Sequence, residues 1–281
     1  MMKIVLAVDG SAYSRWATEA VLSVPWAERP DVVVLHAVDV AALPEAFIAP
    51  RTAEAYRAVL SAETASRERT GKRLVARVAA RLKKRCRSVK AAVETGRAAD
   101  VIVDRARREA ADLIVVGARG VGNVRRFLLG SVSARVVSHG PCAVLVVKRS
   151  TRAVRRVLLG ADGSRASERA ARRLAEWFAP GTVTVDALYV WEYPVHPHPA
   201  GAVERMVEER YCRGLARAGL TCRPRWVMGH PAERLDAAAS RARADLVVVG
   251  SRGLSRVRRL LLGGVSDRIV THSRGSVLVV R

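Results

Sequence analysis

Short apolar runs alternate with longer amphipathic ones from the start of the chain. Ile4 to Val8 is a β-branched run, Ser11 to Val24 carries apolar residues at helical spacing, and Val32 to Val38 is continuously apolar again. An apolar run of this length between turn signals predicts a strand buried on both faces, and apolar residues every third and fourth position predict a helix packed on one side. The alternation continues through a long segment from about Arg51 to Arg87, rich in Ala, Arg and Glu, where Tyr56, Leu60, Leu74, Val78 and Leu82 keep helix-like spacings. Strands are then predicted at Lys90 to Val93, Leu113 to Val116 and Ala143 to Val147, with helices at Ala98 to Ala110 and Val132 to Ser138. Doubly buried strands alternating with helices predict an α/β fold: a five-stranded parallel sheet with helices on either side.

The pattern then restarts. A polar break at residues 149 to 153 precedes Arg155-Arg-Val-Leu-Leu-Gly-Ala-Asp162-Gly-Ser, which repeats Lys3-Ile-Val-Leu-Ala-Val-Asp9-Gly-Ser. Asp9 and Asp162 lie 153 positions apart, whereas Gly117 and Gly250 lie 133 apart, so the second copy is 20 residues shorter between these landmarks. The long helical segment after the second strand is the natural place for the loss. Further on, Ala111-Asp-Leu-Ile-Val-Val-Gly-Ala-Arg-Gly120 aligns without gaps to Ala244-Asp-Leu-Val-Val-Val-Gly-Ser-Arg-Gly253. Duplication of a whole domain accounts for this, with domains at 1–149 and 153–281.

Composition narrows the setting. No apolar run approaches the roughly 18 to 20 residues of a membrane span, and Met1-Met-Lys-Ile-Val enters a strand without the longer apolar segment of a secretory signal, so a cytoplasmic protein is expected. Cys86, Cys142, Cys212 and Cys222 form no CxxC pair and no metal-ligand cluster, and ordinary reduced thiols are expected. Forty-nine Lys and Arg against 26 Asp and Glu give +23. That charge attracts nucleotides, RNA and acidic membrane surfaces alike and selects none of them.

Two glycine-rich loops carry the candidate chemistry. Gly117-Ala-Arg-Gly120 is followed after nine residues by Gly130-Ser131, and Gly250-Ser-Arg-Gly253 after nine by Gly263-Gly264. Each follows a predicted strand, and each second pair precedes a predicted helix. Glycine permits tight turns and close approach to a ligand, and free N–H groups at a helix start attract an anion, so both loops are expected to hold phosphate. The spacing fits neither a dinucleotide fingerprint nor a P-loop. Ligands of an open parallel sheet sit beyond the carboxyl ends of its strands, where the chain order reverses. With the first and fourth strands as neighbours, Asp9 and Gly117 to Gly120 would face one crevice. Asp9 would then accept from a ribose hydroxyl or adenine edge, or help hold Mg²⁺, while Gly130, Ser131 and Ser133 present donors to phosphate. The alternative is that Asp9-Gly-Ser is a turn and helix N-cap.

Other groups give weaker signals. Arg125-Arg126 and Arg258-Arg259 either offset a triphosphate's charge or face water, and the basic stretch from Lys83 to Lys90 either touches RNA or anionic lipid or is solvated. His196-Pro-His198 lies among prolines without a Cys or acidic partner at ligand spacing, and His36 reads as a hydrogen-bonded core histidine. No Ser/His/Asp or Cys/His arrangement stands out.

Taken together, these residues resemble a tandem universal stress protein of the nucleotide-binding branch. The resemblance rests on the G-x-x-G-x₉-G-[ST] pattern, on Val8-Asp-Gly-Ser11, on His36, and on Gly140-Pro-Cys-Ala-Val-Leu-Val-Val147, and it covers essentially the whole chain twice. It implies Rossmann-like domains, similar to the adenine nucleotide alpha hydrolases, with ATP between the first and fourth strands and domains paired through their last strands. By residue matching, Ala7, Asp9 and Ala37 border adenine and ribose, and Gly117, Arg119, Gly120, Gly130, Ser131, Val132 and Ser133 surround the phosphates. Asp162, Gly250, Arg252, Gly253, Gly263 and Ser266 are the second copy's equivalents. There Gly264 replaces Ser131, and Tyr189 is aligned with Ala37, where a phenol would stack on a purine or fill its pocket. The first copy is expected to bind ATP, with Mg²⁺ alongside, and the second weakly or not at all.

The expected function is that of an ATP-binding stress-response regulator acting through nucleotide-dependent conformation or contacts with a protein partner. Its apolar last strands, Ala143 to Val147 and Ser276 to Val280, would close a pseudo-dimer and join chains into a homo-oligomer. Two other readings remain. One is a slow ATPase or phosphoryl-transfer enzyme, with Asp9 the one obvious base. The other is a basic adaptor for RNA or anionic membrane, whose affinity would fall steeply with salt.

Overall fold

A computed structural model of the chain describes residues 1–39, 53–120, 129–192, 200–251 and 263–281. The first half runs β1 (Lys3–Ala7), α1 (Ala12–Ser23), β2 (Asp31–Val38), α2 (Ala53–Leu82), β3 (Ser88–Thr95), α3 (Ala98–Arg108), β4 (Leu113–Gly117), α4 (Ser131–His139) and β5 (Ala143–Val147). The second runs β6 (Arg156–Gly160), α5 (Arg165–Trp177), β7 (Thr184–Trp191), α6 (Ala200–Val207), a π-helical turn (Glu208–Cys212), α7 (Arg213–Arg217), β8 (Thr221–Met228), α8 (Pro231–Arg241), β9 (Leu246–Gly250), α9 (Gly264–His272) and β10 (Ser276–Val280). The predicted strands and helices of the first half are all present, with ends shifted by one or two residues in most cases.

All ten strands join one sheet in the order β3-β2-β1-β4-β5-β10-β9-β6-β7-β8. Among the described strands pairing is parallel within each half and antiparallel where β5 meets β10, with Leu145 opposite Leu278. Strands such as β5 and β9 are buried at every position, which explains their unbroken Val and Leu. Helices cover both faces, and each buried layer continues across the junction. One contains Leu6, Val34, Leu145, Leu159 and Leu278, the other Val5, Ile114, Val146, Val247 and Val277. The last strands thus pair inside the chain, and both have neighbours on each side. Their edges are closed to the expected chain-to-chain pairing, and the sheet ends instead at β3 and β8.

The shorter second copy loses its residues where expected. α2 has 30 residues, whereas Ala200–Arg217 provides two short helices joined through the π-helical turn. That turn also overturns one expectation. Cys212 and Cys222 form a disulfide, S–S 2.11 Å, because the chain reverses after α7 at Gly219, φ +77°, so that the turn and β8 lie side by side. Reduced thiols are found only at Cys86 and Cys142, where burial pushes the pKa up to about 11 and about 12.

Candidate functional site

Two clefts open at carboxyl ends of strands, one per half, where the strand order reverses between β1 and β4 and between β6 and β9. Crossovers leave in opposite directions at such a point and the sheet gapes there. The first cleft encloses about 590 Å³ and the second about 380 Å³.

Asp9 follows β1 and begins a tight turn. Its Oδ1 accepts the Ser11 amide at 2.9 Å, and Gly10 has φ +83°, a left-handed conformation that favours glycine. Ser11 then caps α1 by accepting the Ser14 amide at 3.1 Å. Asp162, Gly163 and Ser164 repeat this before α5, with φ +79° at Gly163. The turn-and-cap reading of Asp-Gly-Ser is therefore correct, but it occupies only one carboxylate oxygen. The other faces the glycine loop: a Cβ at Gly120 would stand 2.8 Å from Asp9 Oδ2. Carboxylate and bend meet in one crevice.

The glycines that line the clefts also make contacts within the fold. A Cβ at Gly117 would lie 2.7 Å from Tyr13 Cβ and 2.8 Å from its carbonyl carbon, and one at Gly250 would lie 2.7 Å from Ala166. These two glycines let α1 and α5 pack against the ends of β4 and β9. The Gly130 amide is also committed, donating to the Ala118 carbonyl at 2.8 Å, as Gly263 donates to Ser251. Ser133 is buried, and its single hydroxyl proton lies between the Ala118 and Gly130 carbonyls, both at 2.9 Å. It ties the loop to the helix rather than offering a free O–H donor. Ser266 does the same in the second half by donating to the Gly250 carbonyl at 2.5 Å.

What remains is the start of α4. Gly130 occupies the N-cap position without a side chain to cap it, so the amides of Ser131, Val132 and Ser133 have no cap from that residue, unlike the starts of α1 and α5. These three residues line the cleft, and orphan amides at a helix start attract an anion. Arg119 stands beside them with its guanidinium 5.9 Å from the Tyr13 ring centre, and its buried Nε has no partner among the described residues. Ala7, Leu35, Ala37 and Ile102 supply a low apolar wall on the other side. His36 points away from it: Nδ1 lies 2.7 Å from the Val8 carbonyl, and the ring packs against Gly71 of α2.

The second cleft gathers Asp162, Gly250, Gly263, Gly264 and Ser266 in the same arrangement. Arg252, Gly253, Arg125, Arg126, Arg258, Arg259, His196 and His198 lie outside the described residues. Strand register corrects one alignment. Ala7 pairs with Leu35 and its counterpart Gly160 with Leu188, so Tyr189 corresponds to His36 and Val190 to Ala37. The Tyr189 ring packs with Trp191 on the opposite layer of the sheet from Leu188 and Val190. The larger Val190, with Pro231 in place of Ala98, narrows this cleft instead. Among the described residues no group of three or more His, Cys, Asp or Glu stands together to hold a metal.

Residues 1–148 and 153–281 each match the family model described as the Universal stress protein family. The chain belongs to the universal stress protein family. A universal stress protein of Mycolicibacterium smegmatis is 33% identical over 190 residues, covering 62% of this chain and 63% of that protein, and one of Mycobacterium tuberculosis is 32% identical over 183 residues, covering 60% and 61%. The match thus spans less than two thirds of either relative's length. The crystal structure of a universal stress protein from Archaeoglobus fulgidus superposes with a TM-score of 0.69 at 19% identity, over 99% of this chain and 96% of that one, which establishes the shared fold. No helix among the described residues is long and apolar enough to cross a membrane.

Proposed function

We propose that this universal stress protein is an ATP-binding regulator with two nucleotide-binding domains, 1–149 and 153–281, joined as a pseudo-dimer in the cytoplasm. One observation carries the reading: the second carboxylate oxygen of Asp9, the Gly120 bend and the start of α4, which has no side-chain cap among the described residues, converge on a single cleft at the order reversal. An acceptor for ribose hydroxyls thus faces amide donors for phosphate across a space of small-molecule size, which suits a nucleotide better than a bare anion. In this reading Ala7, Ala37 and Ile102 border the base, Asp9 the ribose, and Arg119, Gly120, Ser131, Val132 and Ser133 the phosphates. Mg²⁺ would be held mainly by the nucleotide, with Asp9 and Asp39 the carboxylates that line the cleft.

The second cleft is the weaker site. Gly264 removes the hydroxyl found at Ser131, and Val190 takes space where Ala37 leaves it. Regulation through bound ATP fits better than turnover, because one Asp9 oxygen is held in its own turn and the other is assigned to the ribose, which leaves neither to activate a water.

Calorimetric titration of the full chain with ATP tests this. One dominant site is expected, and Gly120→Val, whose side chain must displace the Asp9 carboxylate, is expected to weaken it at least ten-fold while the circular dichroism spectrum is retained. Unchanged affinity in Gly120→Val would remove the first cleft from consideration.

A further inference from the structure

The residue after each half's last strand reaches across to the other half. Lys148 follows β5 and Arg281 follows β10. Beside them, the Val147 and Val280 carbonyls accept the amides of Ala118 and Ser251, at 2.8 and 2.7 Å, where the two glycine loops begin. Each backbone is therefore fixed to the cleft of its own half. The side chains go the other way. Arg281 Nη2 donates to the Val137 and Ser138 carbonyls, at 2.5 and 2.7 Å, in the last turn of α4, and Lys148 Nζ donates to the Ser273 carbonyl at the end of α9.

α4 needs this outside donor. The residue four positions after Val137 is Pro141, which has no N–H, so the Val137 carbonyl lacks its usual helical partner. A cation at a helix C-terminus is also favoured by the helix dipole. Arg281 is itself anchored, its carbonyl accepting from Arg169 Nε at 2.9 Å on α5, the helix whose Ser167 lines the second cleft.

From this crossed arrangement we propose that Arg281 and Lys148 are positioning residues that couple the two clefts. Arg281 ties the second cleft's loop to the helix whose start forms the first cleft, and Lys148 makes the reciprocal link. Holding Ala118 or Ser251 in place steadies the opposite helix, so occupancy of one cleft tightens the other. The coupling of ligand affinities rests on the nucleotide reading above. The mechanical link does not.

Amide hydrogen exchange on the ligand-free full chain reads that link. The Ala134 amide donates to the Gly130 carbonyl at the cleft end of α4, and the Asp267 amide donates to Gly263 at the same point of α9. Arg281→Met is expected to speed exchange at Ala134 roughly five-fold and leave Asp267 unchanged, Lys148→Met to do the converse, and Arg281→Lys to restore most of the protection, a size set by the worth of a partly buried C-terminal cap. Equal acceleration at both helices, or none, overturns the proposal. ATP titration in a Gly264→Asp background, where an added carboxylate blocks the second cleft, then reads the first. Roughly five-fold weaker binding on adding Arg281→Met, with rescue by Arg281→Lys, supports coupled affinities, and unchanged binding overturns them. If the unmodified chain binds no ATP, the nucleotide reading and the affinity coupling both fail, and the exchange rates alone decide the link.

Discussion

Tyr211 shows how a single side chain distinguishes the two halves. It is 1% exposed, and its hydroxyl accepts the Gly163 amide and pairs with Ser167 Oγ, both at 2.8 Å. The neighbouring Arg210 donates to the Gly163 carbonyl, so the Asp162 turn is pinned from outside on both of its peptide groups. In the first half Arg15 likewise donates to the Gly10 carbonyl at 3.1 Å, but beside Gly10 stands Leu74, which can only pack, so the tyrosine's bonds to the turn amide and to the helix serine are what set the second half apart. Tyr211→Phe should therefore leave the Gly163 amide and Ser167 hydroxyl without this partner and destabilise the protein by about 1–3 kcal/mol. A lower urea midpoint at constant m would register it, and an unmoved midpoint would contradict it. Nothing in the sequence singled out Tyr211, because residues 200–217 carry no strand-to-glycine landmark to align them to α2. The Asp9 and Gly120 encounter was legible, since glycine spacing and the restarted strand pattern both locate it. The roles of Gly117, Gly130 and Ser133 were not, because the same residue type serves a ligand or a packing contact and only three-dimensional neighbours tell which.

The strand and helix pattern was legible almost throughout because fully buried strands leave little choice but Val, Ile, Leu and Ala. What escaped was chemistry at element ends, where one side chain crosses between elements distant in sequence. Lys148 is such a case. Burial holds its pKa down at about 8, with Asp236 opposing that shift and Arg119 adding to it. The folded chain therefore releases this proton more readily than the unfolded chain, whose lysine titrates near 10.5. Below about pH 8 both states carry the charge and the full cost of burying it is present. Between about 8 and 10.5 the unfolded state binds more protons, so the contribution of Lys148 to stability rises with pH. The unfolding free energy of the unmodified protein, relative to Lys148→Met, should climb across that interval. A difference flat in pH would mean that the ammonium is not buried as described.

At the scale of the whole molecule, the apolar last strands announced that they needed cover, but not from what. A second chain and the other half of the same chain are equivalent solutions for an edge strand, and only the distance available to the connecting segment favours the internal one. Residues 148–155 make that connection, and the pairing of Leu145 with Leu278 lets both core layers run through the junction without a polar break. Such continuity makes the halves one cooperative unit, since unfolding either would expose the inner face and edge of the other. Scanning calorimetry should accordingly show a single transition whose van't Hoff and calorimetric enthalpies agree. Leu145→Asp puts a carboxylate into a position only 3% exposed, opposite a leucine equally buried, at a cost of about 3–5 kcal/mol. That penalty falls on the junction and leaves each half's other packing in place, so the single transition should both drop in temperature and split in two. Two transitions in the unmodified protein would show instead that the halves fold independently and that β5 and β10 merely touch.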